Sequence, residues 1–139
     1  MRGIVESHKS VFYWHPVLIH FPIAFFFLEA LLLVLWVSKK DPAYFRFARF
    51  SFFLALGFLA PVLVTGWLDA GGWKNIEDLV QIHFFSGLAA SALALLRILN
   101  WKRAGSPEDA SSWVLLAGAL LQCAAVIAAG YYGGLLVYG

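Results

Sequence analysis

The first apolar segment of this chain opens with Trp14-His15-Pro16-Val17-Leu18-Ile19-His20-Phe21-Pro22 and stays apolar to residue 37. Three further apolar runs follow, at 50–69, 82–99 and 113–137. Each run approaches the ~20 residues that a helix needs to cross bilayer hydrocarbon, where the backbone must satisfy its hydrogen bonds within its own segment. The pattern therefore predicts four transmembrane helices.

The composition and the loops indicate the class of protein. Of the 139 residues, 62% are hydrophobic and 13% are charged, which is more apolar surface than a soluble domain of this size can bury. Short polar connections join antiparallel neighbours, so we expect an all-α membrane protein built as an up-down four-helix bundle. Residues 1–14 form a polar tail, and residues 15–139 form one transmembrane domain.

The basic residues predict the orientation of this bundle. Loops rich in Lys and Arg face the cytoplasm under the positive-inside rule. Only Arg2, Lys9 and Lys74 lie on the side of the termini, whereas seven basic residues flank the first and third loops: Lys39, Lys40, Arg46, Arg49, Arg97, Lys102 and Arg103. We therefore expect both termini and the second loop to lie outside.

The histidines are the main functional candidates. An imidazole near lipid depth needs a partner, so it marks a candidate site. The topology places His15, His20 and His83 in one outer layer together with Asp69, which ends the second apolar run. These side chains suit a metal or a haem.

A haem is the first interpretation of this layer. A low-spin haem takes one histidine from each of two facing helices of a bundle. We assign His20 and His83 as its axial ligands and keep His15 as the alternative, because Pro22 can bend the first helix and turn both of its histidines inward. Asp69 orients an imidazole or binds at the site, and Trp67 lies at its rim.

Two other interpretations of the histidines stay open. A bare metal ion held by imidazoles and Asp69 is the second chemical option, since this donor set suits zinc or iron. The other alternative is that the histidines only form hydrogen bonds at the membrane interface. The protein would then be a structural subunit of a membrane complex. Nucleic acid is not an expected partner, because the basic residues flank the membrane.

Three polar residues lie inside the apolar runs. Glu29 and Arg97 are lone charges whose positions along their helices give them similar depth, so we expect an ion pair between them. Gln122, midway along the fourth helix, is expected to form a hydrogen bond to another helix.

Several motifs resemble a known family. They are HPVLIHFP at 15–22, TGWLDA at 65–70, a histidine opening the third helix, and GYYGGLLVYG at 130–139. Together they resemble the bacterial four-helix membrane proteins catalogued as domain of unknown function 2231. The resemblance implies a protein of the bacterial inner membrane that binds haem b and exchanges electrons with quinol or with a periplasmic cytochrome c or Rieske-type partner. A homo-oligomer is compatible with this interpretation.

The predicted orientation can be tested with a reporter. A periplasm-active phosphatase fused after Gly139 should be active, and a fusion within the loop 102–107 should be inactive. A C-terminal fusion that is active only with a cytoplasmic reporter would contradict the outward placement of the histidines.

Overall fold

The computed structural model describes residues 14–70 and 78–138, and within these two ranges every regular element is a helix. In chain order the helices are α1 (Trp14–Leu18), α2 (His20–Lys39), α3 (Pro42–Asp69), α4 (Asp78–Ala104) and α5 (Ser112–Tyr138).

Four helical spans are long and apolar enough to cross a membrane. They cover Trp14–Lys39, Pro42–Asp69, Asp78–Ala104 and Ser112–Leu136. The predicted all-α, four-span architecture is confirmed. The helices generally extend beyond the apolar runs because capping and polar residues continue them into the interface, and the first span begins at Trp14.

A short interruption divides the first span into α1 and α2. Ile19 lies in a turn between them, and Pro22 follows three residues later. Proline has no N–H, so the carbonyl of Leu18 loses its usual helical donor at this point. Ile19 nevertheless keeps helical dihedral angles (φ −64°, ψ −23°), and its N–H donates to the carbonyl of His15, so α1 and α2 form one span with His15 in its first turn.

The turn between α2 and α3 follows directly from its residues. Lys40 ends α2 in the left-handed conformation (φ 58°), and its N–H donates to the carbonyl of Trp36. Asp41 caps α3 by accepting a hydrogen bond from the N–H of Ala43 at 2.8 Å. Pro42 occupies the first helical position, where a missing N–H costs nothing. The two helices are thereby joined by a tight reversal.

The helices form two antiparallel hairpins. α2 packs along α3, α4 packs along α5, and the hairpins meet mainly through α2 and α5, whereas α3 and α4 touch at few positions. We call the end that carries His15, Asp69 and His83 the histidine end. The opposite end, with the α2–α3 turn and the loop after α4, is the basic end.

The core is closed toward the basic end and open at the histidine end. The largest buried apolar side chains include Phe26, Leu33, Phe52 and Trp101. By contrast, no described residue in four stretches at the histidine end is fully buried: 14–21, 63–70, 78–89 and 130–136. The side chains at the histidine end are therefore more exposed than those of the closed part of the core.

An ion pair lies inside the closed part of the core. Arg97 Nη2 donates to Glu29 Oε1, as predicted, and Trp101 Nε1 donates to the same oxygen at 3.0 Å. The guanidinium also lies 4.9 Å from the centre of the Phe52 ring. A Cβ on Gly118 would come within 3.1 Å of Arg97 Nε, so this glycine leaves space for the arginine. The pair joins α2 to α4 across the bundle.

Gln122 forms the interhelical hydrogen bond that its position predicts. Its side-chain amide donates to the carbonyl of Ala90 on α4 at 3.0 Å, and the residue is fully buried. The next residue, Cys123, is a buried free thiol whose sulfur lies 3.7 Å from the carbonyl oxygen of Phe26. These contacts fix α5 against both α4 and α2.

The ion pair yields a stability prediction. Glu29→Leu or Arg97→Met alone should each lower the free energy of unfolding by about 3–5 kcal/mol, because each strands one buried charge. The double variant should lose less than either single variant. The measurement is denaturant unfolding in a fixed detergent micelle, analysed as a double-mutant cycle.

Lys39→Met provides the matched control, since Lys39 is an exposed cation on α2. It should change stability by no more than about 0.5 kcal/mol. Additive losses in the cycle would contradict the coupling.

Candidate functional site

Two histidines from opposite hairpins face each other at the histidine end. The ring centres of His15 on α1 and His83 on α4 lie 5.9 Å apart, and the ring planes are inclined at 76°. Both side chains are half-buried. The two histidines face each other diagonally across the bundle, because α1 packs on α3 and α4 packs on α5.

Each of these rings is oriented by a backbone carbonyl of its own hairpin. His15 Nδ1 lies 3.0 Å from the carbonyl oxygen of Val62, and His83 Nδ1 lies 2.9 Å from that of Ala129. A carbonyl can only accept, so Nδ1 must carry the proton in both rings. In a neutral imidazole this leaves the lone pair on Nε2, which is the nitrogen available to a metal.

A glycine lies against each imidazole ring, and we call Gly66 and Gly133 the glycine seats. A Cβ on Gly66 would come within 2.9 Å of both Cε1 and Nδ1 of His15. A Cβ on Gly133 would come within 2.9 Å of Cε1 and 3.1 Å of Nδ1 of His83. All of these distances are shorter than normal van der Waals contact. A larger residue at either glycine position would therefore displace the imidazole ring.

The two hairpins repeat the same local arrangement. In each, the carbonyl that accepts from histidine belongs to the residue four positions before the glycine, Val62 before Gly66 and Ala129 before Gly133. In a helix the carbonyl of residue i is directed toward residue i+4, whose side chain normally covers it. Because glycine has no side chain, it leaves that carbonyl accessible. The same glycine therefore makes room for the imidazole ring and exposes the carbonyl that accepts its hydrogen bond.

His20 lies apart from this pair. Its ring is exposed, and its Nδ1 bonds to the carbonyl of Pro16, within the same helical segment. The backbone between the two histidines is helical, and five residues turn a helix through about 140°, so His15 and His20 lie on different sides of the span. The structure thus pairs His83 with His15, the alternative ligand of the sequence analysis, and does not bring the first choice, His20, to His83.

Asp69 holds the beginning of α1. Its Oδ2 accepts a hydrogen bond from the backbone N–H of His15 at 3.1 Å, and the side chain is exposed. A carboxylate at the first turn of a helix also interacts favourably with the helix dipole. Asp69 therefore orients His15 through its main chain, because its hydrogen bond goes to the backbone N–H of that residue.

Trp67 lies beside the pair at the open seam between α3 and α4. Its ring centre is 6.0 Å from that of Phe84, the residue after His83. The two aromatic rings cover the seam at the level of the histidines. Trp73, which the sequence also suggests for the rim, lies outside the described residues.

Two facing imidazoles are the donor set of a bis-histidine haem site. Two imidazoles that bind one metal from opposite sides, at about 2 Å each, have ring centres roughly 6 Å apart. The separation of 5.9 Å is close to that value. Both Nδ1 atoms already have the acceptors that ligating histidines require, and both side chains are half-buried. Among the described residues, no cluster of three or more His, Cys, Asp or Glu side chains is arranged to hold a bare metal ion.

Four contributors to the site were missed by sequence reasoning. They are Gly66 and Gly133 as seats and the carbonyls of Val62 and Ala129 as acceptors. A signal was present, because the interval from histidine to its acceptor is 47 residues in the first hairpin and 46 in the second. Comparing the hairpins with each other would have aligned His15, and not His20, with His83.

Comparison with known proteins supports the family resemblance. No curated protein and no solved structure matches the chain. Residues 14–139 match a family described as "Predicted membrane protein (DUF2231)". Because the match extends from the first described helix to the C-terminal residue, the chain belongs to that family.

Proposed function

We propose that this protein is a small membrane cytochrome that binds one b-type haem between His15 and His83. The observation that carries the proposal is the pair of facing imidazoles at 5.9 Å, each with Nδ1 on a backbone carbonyl and Nε2 free of described hydrogen bonds. A bound haem supplies one-electron chemistry.

The chain's own residues prepare the site for such a group. The carbonyls of Val62 and Ala129 hold each ring in one tautomer and raise the basicity of Nε2. Because the two carbonyls belong to rigid helices, the imidazoles are positioned before binding, which lowers the entropy cost of coordination. Asp69 fixes the entry of α1, and with it the backbone of His15.

The position of the site within the bundle suggests its exchange partners. The histidines lie near one end of the spans, where a flat group reached through the α3–α4 seam is accessible from that membrane surface. If this end faces the periplasm of a bacterial inner membrane, as the basic residues predict, quinol or a periplasmic cytochrome c or Rieske-type protein can exchange electrons there.

Absorption spectroscopy tests the proposal directly. Detergent-purified protein expressed with ample haem should show a reducible low-spin spectrum with one haem per chain. His15→Ala and His83→Ala should each abolish that spectrum, because losing one ligand opens a coordination position and weakens binding.

His20→Ala is the matched control, since the exposed His20 ring contacts only its own helical segment. It should retain both haem content and spectrum. Loss of haem in His20→Ala with retention in His15→Ala would reverse the ligand assignment. Wild-type protein that takes up no haem would contradict the cytochrome, and metal analysis would then distinguish a bare-metal site from a structural subunit.

The glycine seats provide a second test. Gly66→Ala and Gly133→Ala should each destabilise the haem-bound protein by about 1–3 kcal/mol, because the added methyl overlaps an imidazole. Each should also alter the low-spin spectrum, since the ring must move from its seat. Thermal unfolding and the haem-to-protein ratio are the measurements.

Gly57→Ala and Gly134→Ala are the matched controls in the same two helices. A Cβ at either position meets no atom within 4 Å. These variants should be neutral or stabilising by up to about 1 kcal/mol, because alanine favours the helix over glycine. Equal behaviour of all four variants would show that the seats do not support the rings.

A further inference from the structure

The basic end carries a group of cations with no acidic partner. Six Lys and Arg residues lie there: Lys39, Lys40, Arg46, Arg49, Lys102 and Arg103. Within the residues 14–70 and 78–138, the ion pair found is that of Glu29 with Arg97, so none of these six is neutralised by a described carboxylate. Five of them are exposed and Arg49 is half-buried.

Four of these cations lie on the parts of α3 and α4 that border the seam at the basic end. Arg49 Nη1 donates to the carbonyl of Gly105 at 3.2 Å, which places the first turns of α3 beside the end of α4. Arg46 lies three residues before Arg49, on the same side of α3. The last turn of α4 contributes Lys102 and Arg103. We call Arg46, Arg49, Lys102 and Arg103 the seam cations.

Nearby carboxylates are occupied by other contacts or lie apart from these residues. Asp41 caps α3 through Ala43, and Asp109 accepts a hydrogen bond from Ser106 at 2.8 Å. Glu108 lines the groove at the α2–α3 turn with Lys40 and makes no described ion pair. The seam cations thus keep a local excess of positive charge.

The depth of the seam cations matches the lipid headgroup region. The 28 residues of α3 span about 42 Å at 1.5 Å per residue, against roughly 30 Å of hydrocarbon. Arg46 and Arg49 lie within about 10 Å of the start of α3, and Lys102 and Arg103 lie in the last turn of α4. Each set is therefore at the boundary between acyl chains and headgroups.

Apolar surface continues from the cations into the seam. The guanidinium of Arg49 lies 6.0 Å from the centre of the Phe53 ring, one turn deeper on α3. Phe50, on the same helix, is 65% exposed. A ligand at this place would meet positive charge at its head and aromatic surface along its chain, which is the chemistry of an anionic phospholipid.

We propose that the seam cations bind the phosphate of an anionic phospholipid whose acyl chains lie along the α3–α4 seam. The bilayer is the source of this ligand, because the cations lie at headgroup depth and the adjoining surface is apolar. Arginine favours phosphate because its planar group can donate two parallel hydrogen bonds. The site is independent of the histidine end and does not require that a haem be bound.

Spin-labelled lipids test this proposal. Full-length protein is reconstituted into phosphatidylcholine vesicles that contain spin-labelled phosphatidylglycerol, and the motionally restricted fraction is compared with that of spin-labelled phosphatidylcholine. Selectivity for the anionic label should be clear in the wild type. The Arg46→Gln/Arg103→Gln variant should lose about tenfold or more of this selectivity, since a direct hydrogen bond to a charged group contributes about tenfold to binding.

Lys39→Gln/Lys40→Gln is the matched control, because it removes the same charge from the turn between α2 and α3. It should lose at most about threefold of the selectivity, through the general surface potential alone. Equal losses in the two double variants would overturn the site, since only net charge would then matter. Arg46 and Arg103 make no described hydrogen bond, so their replacement is not expected to unfold the bundle; thermal unfolding of the variant confirms this.

Free phosphate is distinguished in the same experiment. Inorganic phosphate at millimolar concentration should not displace the labelled lipid beyond the effect of sodium chloride at equal ionic strength. Specific displacement by phosphate would overturn the assignment to phospholipid and indicate a site for the free anion.

Discussion

The buried pair of Glu29 and Arg97 constrains how the two hairpins can meet. A charge in the apolar interior is costly unless an opposite charge neutralises it, so α2 and α4 must place these residues at the same level. Glu29 follows His15 by fourteen residues, and Arg97 follows His83 by fourteen residues. Because α2 and α4 run in the same direction, the level set by the ion pair also sets the level of the two imidazoles.

This spacing also aligns the two contacts on one face of each helix. Fourteen residues correspond to two heptads, and residues at that interval lie close to the same side of helices packed at small angles. The ion pair and the histidine pair are thus two diagonal links between the same helices, about 21 Å apart along the helix axis. The backbone stays helical through Ile19, and His15 lies level with His83.

The hairpins are similar at the histidine end and different at the basic end. Each presents a histidine, a carbonyl acceptor and a glycine at nearly equal intervals, which gives two imidazoles that are held in the same way and face each other. Deeper in the core the corresponding positions carry opposite charges, Glu29 and Arg97. A pair of identical hairpins would place two like charges there, so the sequence difference at these positions is what allows the hairpins to pack.

The fold could be predicted from the sequence because it depends on long-range properties of composition. The spans follow from apolar runs of membrane length that are joined by short polar loops. The ion pair follows from two lone charges at similar depth. Composition does not distinguish His15 from His20, since both open the first span; only the fourteen-residue spacing that His15–Glu29 shares with His83–Arg97 does so. The exposure of a carbonyl by glycine is a property of packed helices, so Gly66 and Gly133 could not be identified before the hairpins were in contact.

The division of the bundle into a closed and an open part bears on how a cofactor would be acquired. The ion pair, the hydrogen bond of Gln122 and the aromatic core all lie toward the basic end, so they hold the helices together without help from the histidine end. A ligand bound in the open part would therefore contact side chains that the closed core does not use. The contacts that stabilise the bundle and the two facing histidines lie in different parts of this protein.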